Sequence, residues 1–200
     1  MPAFDPSRFQ FIADALAGVN GFRDGGYLVQ YPRESSEKFT RRKAIAWYAN
    51  ALRPACQRFT GYLTKRPPQR EVSQPILAAF LDACNWQNDS LDVFWSQFMM
   101  DAKARGSMLL LVDMPPEGME TDRTWPAISA IAPEVVTAYA VNAVGALARV
   151  TFADTLTRDG KDVAVSRTYD ETGWRVVAGD DVLEQGQHGL GVCPVLAFTE

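Results

Sequence analysis

From Ser36 to Leu63 the apolar residues return every three or four positions: Ile45, Tyr48, Ala49, Leu52, Cys56, Phe59 and Leu63. A helix gathers them on one face and puts Lys43, Asn50 and Arg58 opposite, so the spacing predicts one long amphipathic helix. Pro54 sits inside the pattern. It lacks a backbone donor and its ring crowds the preceding turn, which predicts a kink near Asn50 to Arg53 or two abutting helices. The helix should end at "KRPP", where Lys65 and Arg66 meet its negative pole and Pro67-Pro68 cannot continue it. Arg41 projects close to the apolar stripe and Arg42 and Arg53 flank it, placed so that their stems pack while their heads reach a carboxylate.

Other stretches carry their own signals. Asp5-Pro6-Ser7 predicts a cap for a short helix through about Val19, stopped by Asn20-Gly21. "RDGGYLVQYP" reads as a turn followed by a short extended piece. A helix is expected over 74–84. Another runs from Ser90 to Arg105, with Ser90 as cap, Asp92 in the first turn, Leu91, Phe94, Trp95, Phe98 and Ala102 on one face, and Gly106 just beyond. "SMLLLVD", 107–113, holds a continuous apolar run too short for a helix of its own, which predicts a buried strand. Beyond an acidic loop, 114–125, strands are expected near 126–132, 136–141, 146–153, 163–169, 174–178 and 193–198. Their connections "NAVG", "RDGK" and "ETG" are turn-like and favour antiparallel neighbours. Helices first and strands second make an α+β chain, a helical part over 1–106 packed on a mostly antiparallel β-rich part over 107–200.

Charge divides the chain along similar lines. Residues 31–70 hold ten Lys or Arg against Glu34 and Glu37, whereas residues 71–200 hold 19 acids against eight bases. Such a bipolar chain suits association with a surface of opposite sign: nucleic acid, an acidic partner, or another copy. The 47% hydrophobic content of its 200 residues fits a folded chain, no run is long enough for a membrane span, and residues 1–20 lack a secretion signal. Cys56, Cys84 and Cys193 are far apart, without zinc-site spacing, and suit buried thiols in a reducing compartment.

The search for chemistry finds no phosphate-binding loop, dinucleotide fingerprint, nucleophile elbow or zinc-protease motif, so neither an enzyme nor a cofactor is expected. His188 lies near Cys193, but "QHGLGVCPV" reads as a loop entering a strand with Cys193 pointing inward, so no catalytic dyad is expected. Asp113, Glu117, Glu120 and Asp122 lack the alternating spacing and central glycine of a calcium loop, and no metal site is expected. Tyr31, Phe39, Trp47, Tyr48, Phe59 and Tyr62 stand mostly at core spacing, which favours packing over base stacking.

Three stretches in order, "FRDGGYLVQYPRESSEKFTRRKAIAWYANALRPACQRFTGYLTKRPP", "NDSLDVFWSQFMMDAKARGSMLLLVDMPP" and "HGLGVCPVLAF", resemble the N-terminal portion of portal proteins of tailed bacteriophages and prophages. The shared pattern is a YL-plus-acid entry, a helix with an Arg, Ala, Tyr, Asn progression, a G-aromatic-L exit into basic-proline, an amphipathic helix, and a G-x-x-L-L-V-D-x-P strand. It covers about residues 21–116 and 188–198.

The resemblance implies a non-catalytic subunit of the ring, typically of about twelve copies, at one capsid vertex. Double-stranded DNA passes through such a ring during packaging and ejection; the terminase motor, the major capsid protein and head-completion proteins dock on it. It also implies a place in the virion, after synthesis in the bacterial host cytoplasm. Residues 1–200 correspond to the wing, and stem, clip and tunnel loop are expected downstream of Glu200. On physical grounds a ring lets the basic part of one copy face the acidic β part of the next, which makes Arg41, Arg42, Arg53, Arg58, Lys65 and Arg66 the candidate contact residues. A second reading stays open: a stand-alone adaptor or binding module that uses the basic segment 31–70 to hold nucleic acid or an acidic partner.

Overall fold

The computed structural model describes residues 6–66, 68–115, 122–158 and 160–199. Among them the chain forms six α-helices and two antiparallel sheets, an α+β fold. The helices are α1 (Pro6–Ala17), α2 (Val19–Asp24), α3 (Ser36–Ala44), α4 (Leu52–Leu63), α5 (Pro75–Asp82) and α6 (Leu91–Arg105). The strands are β1 (Ser107–Asp113), β2 (Ala127–Ile131), β3 (Val136–Val141), β4 (Leu147–Arg158), β5 (Lys161–Asp170), β6 (Gly173–Ala178), β7 (Asp181–Gln187) and β8 (Val195–Thr199).

β1 is the central strand of a three-stranded sheet ordered β2-β1-β8. Successive side chains of a strand point to opposite faces. Met108, Leu110 and Val112 accordingly join Phe94, Phe98, Ala102 and Cys84 in the core under the helices. Leu109 and Leu111 join Ile131, Val136, Val150, Phe152, Tyr169 and Val195 in a second core, beneath the other sheet. That sheet is a meander, β3-β4-β5-β6-β7, so the layers run helices, small sheet, large sheet. Its turns are chemically specified: the Asn142 side chain accepts from the amides of Val144 and Ala146, and Asp170 Oδ1 accepts from Thr172 and Gly173.

α6 follows its sequence signals: Ser90 Oγ accepts from the Val93 amide, and Gly106 closes the helix at φ 74° with its amide on Ala102. Ahead of it, Asn85 Oδ1 accepts from the amides of Gln87 and Asp89, and the guanidinium of Arg123 donates to the Asn85 carbonyl at 2.6 Å. Trp125 Nε1 donates to the Ala83 carbonyl at 2.8 Å. These bonds hold the α5–α6 loop against the approach to β2.

Three expectations need correction. Of the two outcomes expected around Pro54, the structure has two helices and no kink, but they do not abut: α3 stops at Ala44, residues 45–51 are not helical, and α4 begins at Leu52. Pro54 falls in the first turn of α4, where a missing donor costs nothing, so it starts a helix instead of kinking one. The break is fixed by tertiary bonds. The Asn50 side-chain amide and Arg53 Nε both donate to the Leu16 carbonyl, at 3.2 and 3.0 Å, while Asn50 Oδ1 accepts from the Arg53 amide. At the N-terminus, Asn20-Gly21 does not stop the helix. Gly18, at φ 87°, divides α1 from α2, and Gly21 lies within α2 because a Cβ there would sit 2.4 Å from the Asp14 carbonyl oxygen. The third is an omission, β7, a polar edge strand whose burial does not alternate. The expected cap at Asp5 lies outside the described residues.

Arg105, at the end of α6, donates to both oxygens of Glu134 and to Asp101 Oδ1, with shortest distances of 2.8 Å to each partner. Its side chain is 11% exposed and that of Glu134 12%, so the pair bridges the helix to the 3₁₀ turn Pro133–Val135 away from bulk water. Arg105→Ala leaves Glu134 buried and unpaired, and urea denaturation should register a loss of about 3–5 kcal/mol.

Candidate functional site

The six basic candidates fall into two groups. Arg42 is turned inward upon its own chain: its Nε and one terminal nitrogen grip the two oxygens of Glu34 at 2.9 and 2.8 Å, that nitrogen also donates to the Val29 carbonyl, and the guanidinium lies 4.5 Å from the centre of the Tyr31 ring. The hydrogen bonds from Arg42 hold the Glu34 carboxyl below the usual carboxylate range. Arg53 is committed to Leu16, as described. Both residues position the backbone of the helical part. Arg41, Arg58, Lys65 and Arg66 are exposed and, among the described residues, their side chains form no hydrogen bond or ion pair.

Those four bases share their surroundings with apolar side chains left in water. Ile45 and Trp47 are each 83% exposed, Tyr62 75% and Leu63 58%. In α4 only Cys56 and Thr60 are buried, so most of the stripe that the spacing assigns to a core faces outward. Ala51, Pro54, Ala55, Arg58, Phe59 and Tyr62 line a shallow groove of about 530 Å³ along this helix, and the Lys103 ammonium sits 4.5 Å from the centre of the Phe59 ring. Apolar patches rimmed by charge are the usual form of a protein contact surface.

A second site opens between the two sheets. Trp86, Leu111, Ile131, Ala132, Val135 and Phe152 wall a cleft of about 510 Å³, which Asp113, Asp154, Arg167 and Tyr169 also line. The Tyr169 hydroxyl donates to Asp113 Oδ2 at 3.0 Å, and the Met114 amide donates to Oδ1 at 2.9 Å. Arg167 Nε pairs with Asp154 at 2.6 Å. Burial pushes the Asp113 carboxyl above its ordinary range against the pull of these donors, and burial beside Asp113 pushes the Tyr169 phenol up as well. Sequence spacing gave no sign of this cleft, because Asp113 and Tyr169 are 56 residues apart.

His188 and Cys193 do not form a pair for catalysis. His188 Nδ1 accepts from the Leu190 amide and Nε2 lies 2.9 Å from the Asp170 carbonyl, an arrangement that suits the tautomer with its hydrogen on Nε2. The Cys193 thiol is buried, points to the Tyr169 carbonyl, and is pushed up by its burial. Among the described residues no group of His, Cys, Asp or Glu side chains could hold a metal ion; Glu117 and Glu120 lie outside them. No helix among them is long and apolar enough to cross a membrane.

No protein-family model and no curated protein matches the chain.

Two outcomes follow from this chemistry. A maleimide should modify Cys193 in the native protein at least about tenfold more slowly than in the urea-unfolded chain, as judged by mass spectrometry, since thiolate and access are both lacking. For Asp113, a folded-state pKa above the unfolded value means that ionisation opposes folding, by an amount that grows as pH rises through that interval. Asp113→Asn should therefore raise the thermal midpoint at pH 7, because the Tyr169 hydroxyl can accept from the new amide. The gap over the parent should close as pH falls below the ordinary carboxylate range.

Proposed function

We propose that this chain is the wing portion of a bacteriophage portal subunit, a structural component of the ring through which DNA is packaged and ejected. The observation that supports it most is the outer surface of residues 41–66, where Ile45, Trp47, Tyr62 and Leu63 stand in water beside Arg41, Arg58, Lys65 and Arg66. A lone copy leaves that surface without an apolar partner; a ring supplies one at every position, since each copy then meets two neighbours through two different surfaces. The 19 acids after residue 70 give the neighbouring surface a matching sign. The ordered motifs over 21–116 and 188–198 support the same reading. Terminase, capsid and head-completion proteins, a virion location and a channel for double-stranded DNA belong to the proposal through that resemblance.

The free bases also support the second reading, an adaptor for nucleic acid or an acidic partner. Binding of that kind would be non-specific and would weaken steeply with salt.

Light scattering after size exclusion tests the proposal on the 200-residue chain and on the product of its full reading frame. Stable interfaces bury roughly 1,200–2,000 Å² in total, which the wing surfaces alone should not reach. The 200 residues should therefore run as a monomer or a small oligomer that salt dissociates, and the longer product as a closed ring visible by electron microscopy. A longer product that stays monomeric at every concentration and shows no ring overturns the portal reading.

A further inference from the structure

We propose that the cleft between the two sheets binds a cationic group on an apolar stem: an arginine or lysine side chain, or a free alkyl amine or guanidine of the same shape. Its volume of about 510 Å³ lies in the usual range for small-ligand pockets, roughly 300–1,000 Å³. The walls contributed by Leu111, Ile131, Ala132, Val135 and Phe152 are apolar and suit a hydrocarbon stem. The polar groups beside them are unequal in charge, two carboxylates and one guanidinium.

That inequality selects the ligand. Arg167 is already paired with Asp154 at 2.6 Å. Asp113 takes hydrogen bonds only from neutral donors, the Tyr169 hydroxyl and the Met114 amide, and among the described residues no Lys or Arg forms an ion pair with it. A carboxylate has about four acceptor positions, so Asp113 keeps capacity for a further donor. An anion would meet two like charges here, and a neutral alkyl group would leave Asp113 without a cationic hydrogen-bond donor, since the nearby Arg167 acts on it only through space and is bonded to Asp154. A cation satisfies it, and the stacked rings of Phe152 and Tyr169, 6.1 Å apart, extend the apolar wall along which its stem would lie. A hard metal ion fits poorly, since it needs six or more oxygens and the surrounding wall is hydrocarbon. Burial raises the Asp113 carboxyl, and the Arg167 charge nearby offsets that only in part.

The inference does not rest on the portal reading, and the two experiments fail separately. Titrating the 200-residue protein with n-butylguanidinium chloride, followed by NMR, should give saturable shifts in the millimolar range at the Trp86 indole and at Tyr169. The Asp113 carboxyl should titrate at lower pH in the saturated protein. n-Butanol and butyrate should produce neither effect. Asp113→Asn should weaken binding at least tenfold; Tyr169→Phe, which keeps the carboxylate, should still bind the cation and shows that the cleft survives substitution. An acetyl-Gly-Arg-Gly-amide peptide that binds at least as tightly as butylguanidinium identifies a protein side chain as the ligand, and exclusion of the peptide identifies a free small cation. Absence of saturable shifts, equal binding by butanol, or unchanged affinity in Asp113→Asn overturns the proposal.

Discussion

Both cores depend on β1 having no face to give to water. Its odd and even side chains serve different layers, Leu109 and Leu111 toward the large sheet, Met108, Leu110 and Val112 toward the helices. A strand with one wet face would have allowed a one-residue slip at the cost of one core. Here the same slip would exchange the contributions to both cores at once, and the pairings Leu109↔Ile131 and Leu109↔Ala197 fix the register from either side. The helices and the meander are joined chiefly through this strand and its two neighbours.

This arrangement explains why the β-rich part can be polar on its outer side and still be anchored. Where the meander faces β1 and its neighbours it presents Val136, Val150, Phe152, Tyr169 and the ring of Trp174, and Val165 and Val176 are buried as well. The opposite face is left to residues such as Arg149, Thr151, Thr168 and Arg175, which line a broad polar depression. The α4 surface is the reverse case, a helix whose apolar stripe has little to pack against inside the chain. Cys56 and Thr60 are its buried residues, and the bonds of Asn50 and Arg53 to Leu16 and the packing of α6 complete its attachment.

What could be read from the sequence was whatever local chemistry decides. Ser90, Asp92 and Gly106 mark α6 because caps act within one turn, and "SMLLLVD" announces a buried strand because burial on both sides leaves an unbroken apolar run between Met108 and Val112. Periodicity failed where a distant group intervened. Ile45, Tyr48 and Leu52 keep helical spacing across a segment that is not helical, since the Leu16 carbonyl, more than thirty residues away, captures Asn50 and Arg53 instead. β7 was hidden for a different reason: at a sheet edge, main-chain pairing with β6 suffices, and "DVLEQGQ" carries no apolar alternation. Among the six bases, spacing could not separate Arg42, gripped by Glu34, from Arg58, whose side chain has no partner among the described residues. The cleft lay beyond reach, because a buried carboxylate at the end of one strand acquires meaning only from the tyrosine opposite.

The double capture of the Leu16 carbonyl also has a mechanical side. Asn50 and Arg53 fasten the start of α4 to the last turn of α1, and α1 rests on the turn Pro133–Val135. Glu134 in that turn is locked to Arg105 at the end of α6, and α6 packs in turn against α4. Force applied to the outer surface of α4 is thus shared around a closed circuit of stiff members, and reaches the large sheet through the turn that leads into β3. The exposed helix is thereby tied at its start to α1 and along its length to α6, so a contact made on it is linked to the β layers through side chains on three other elements.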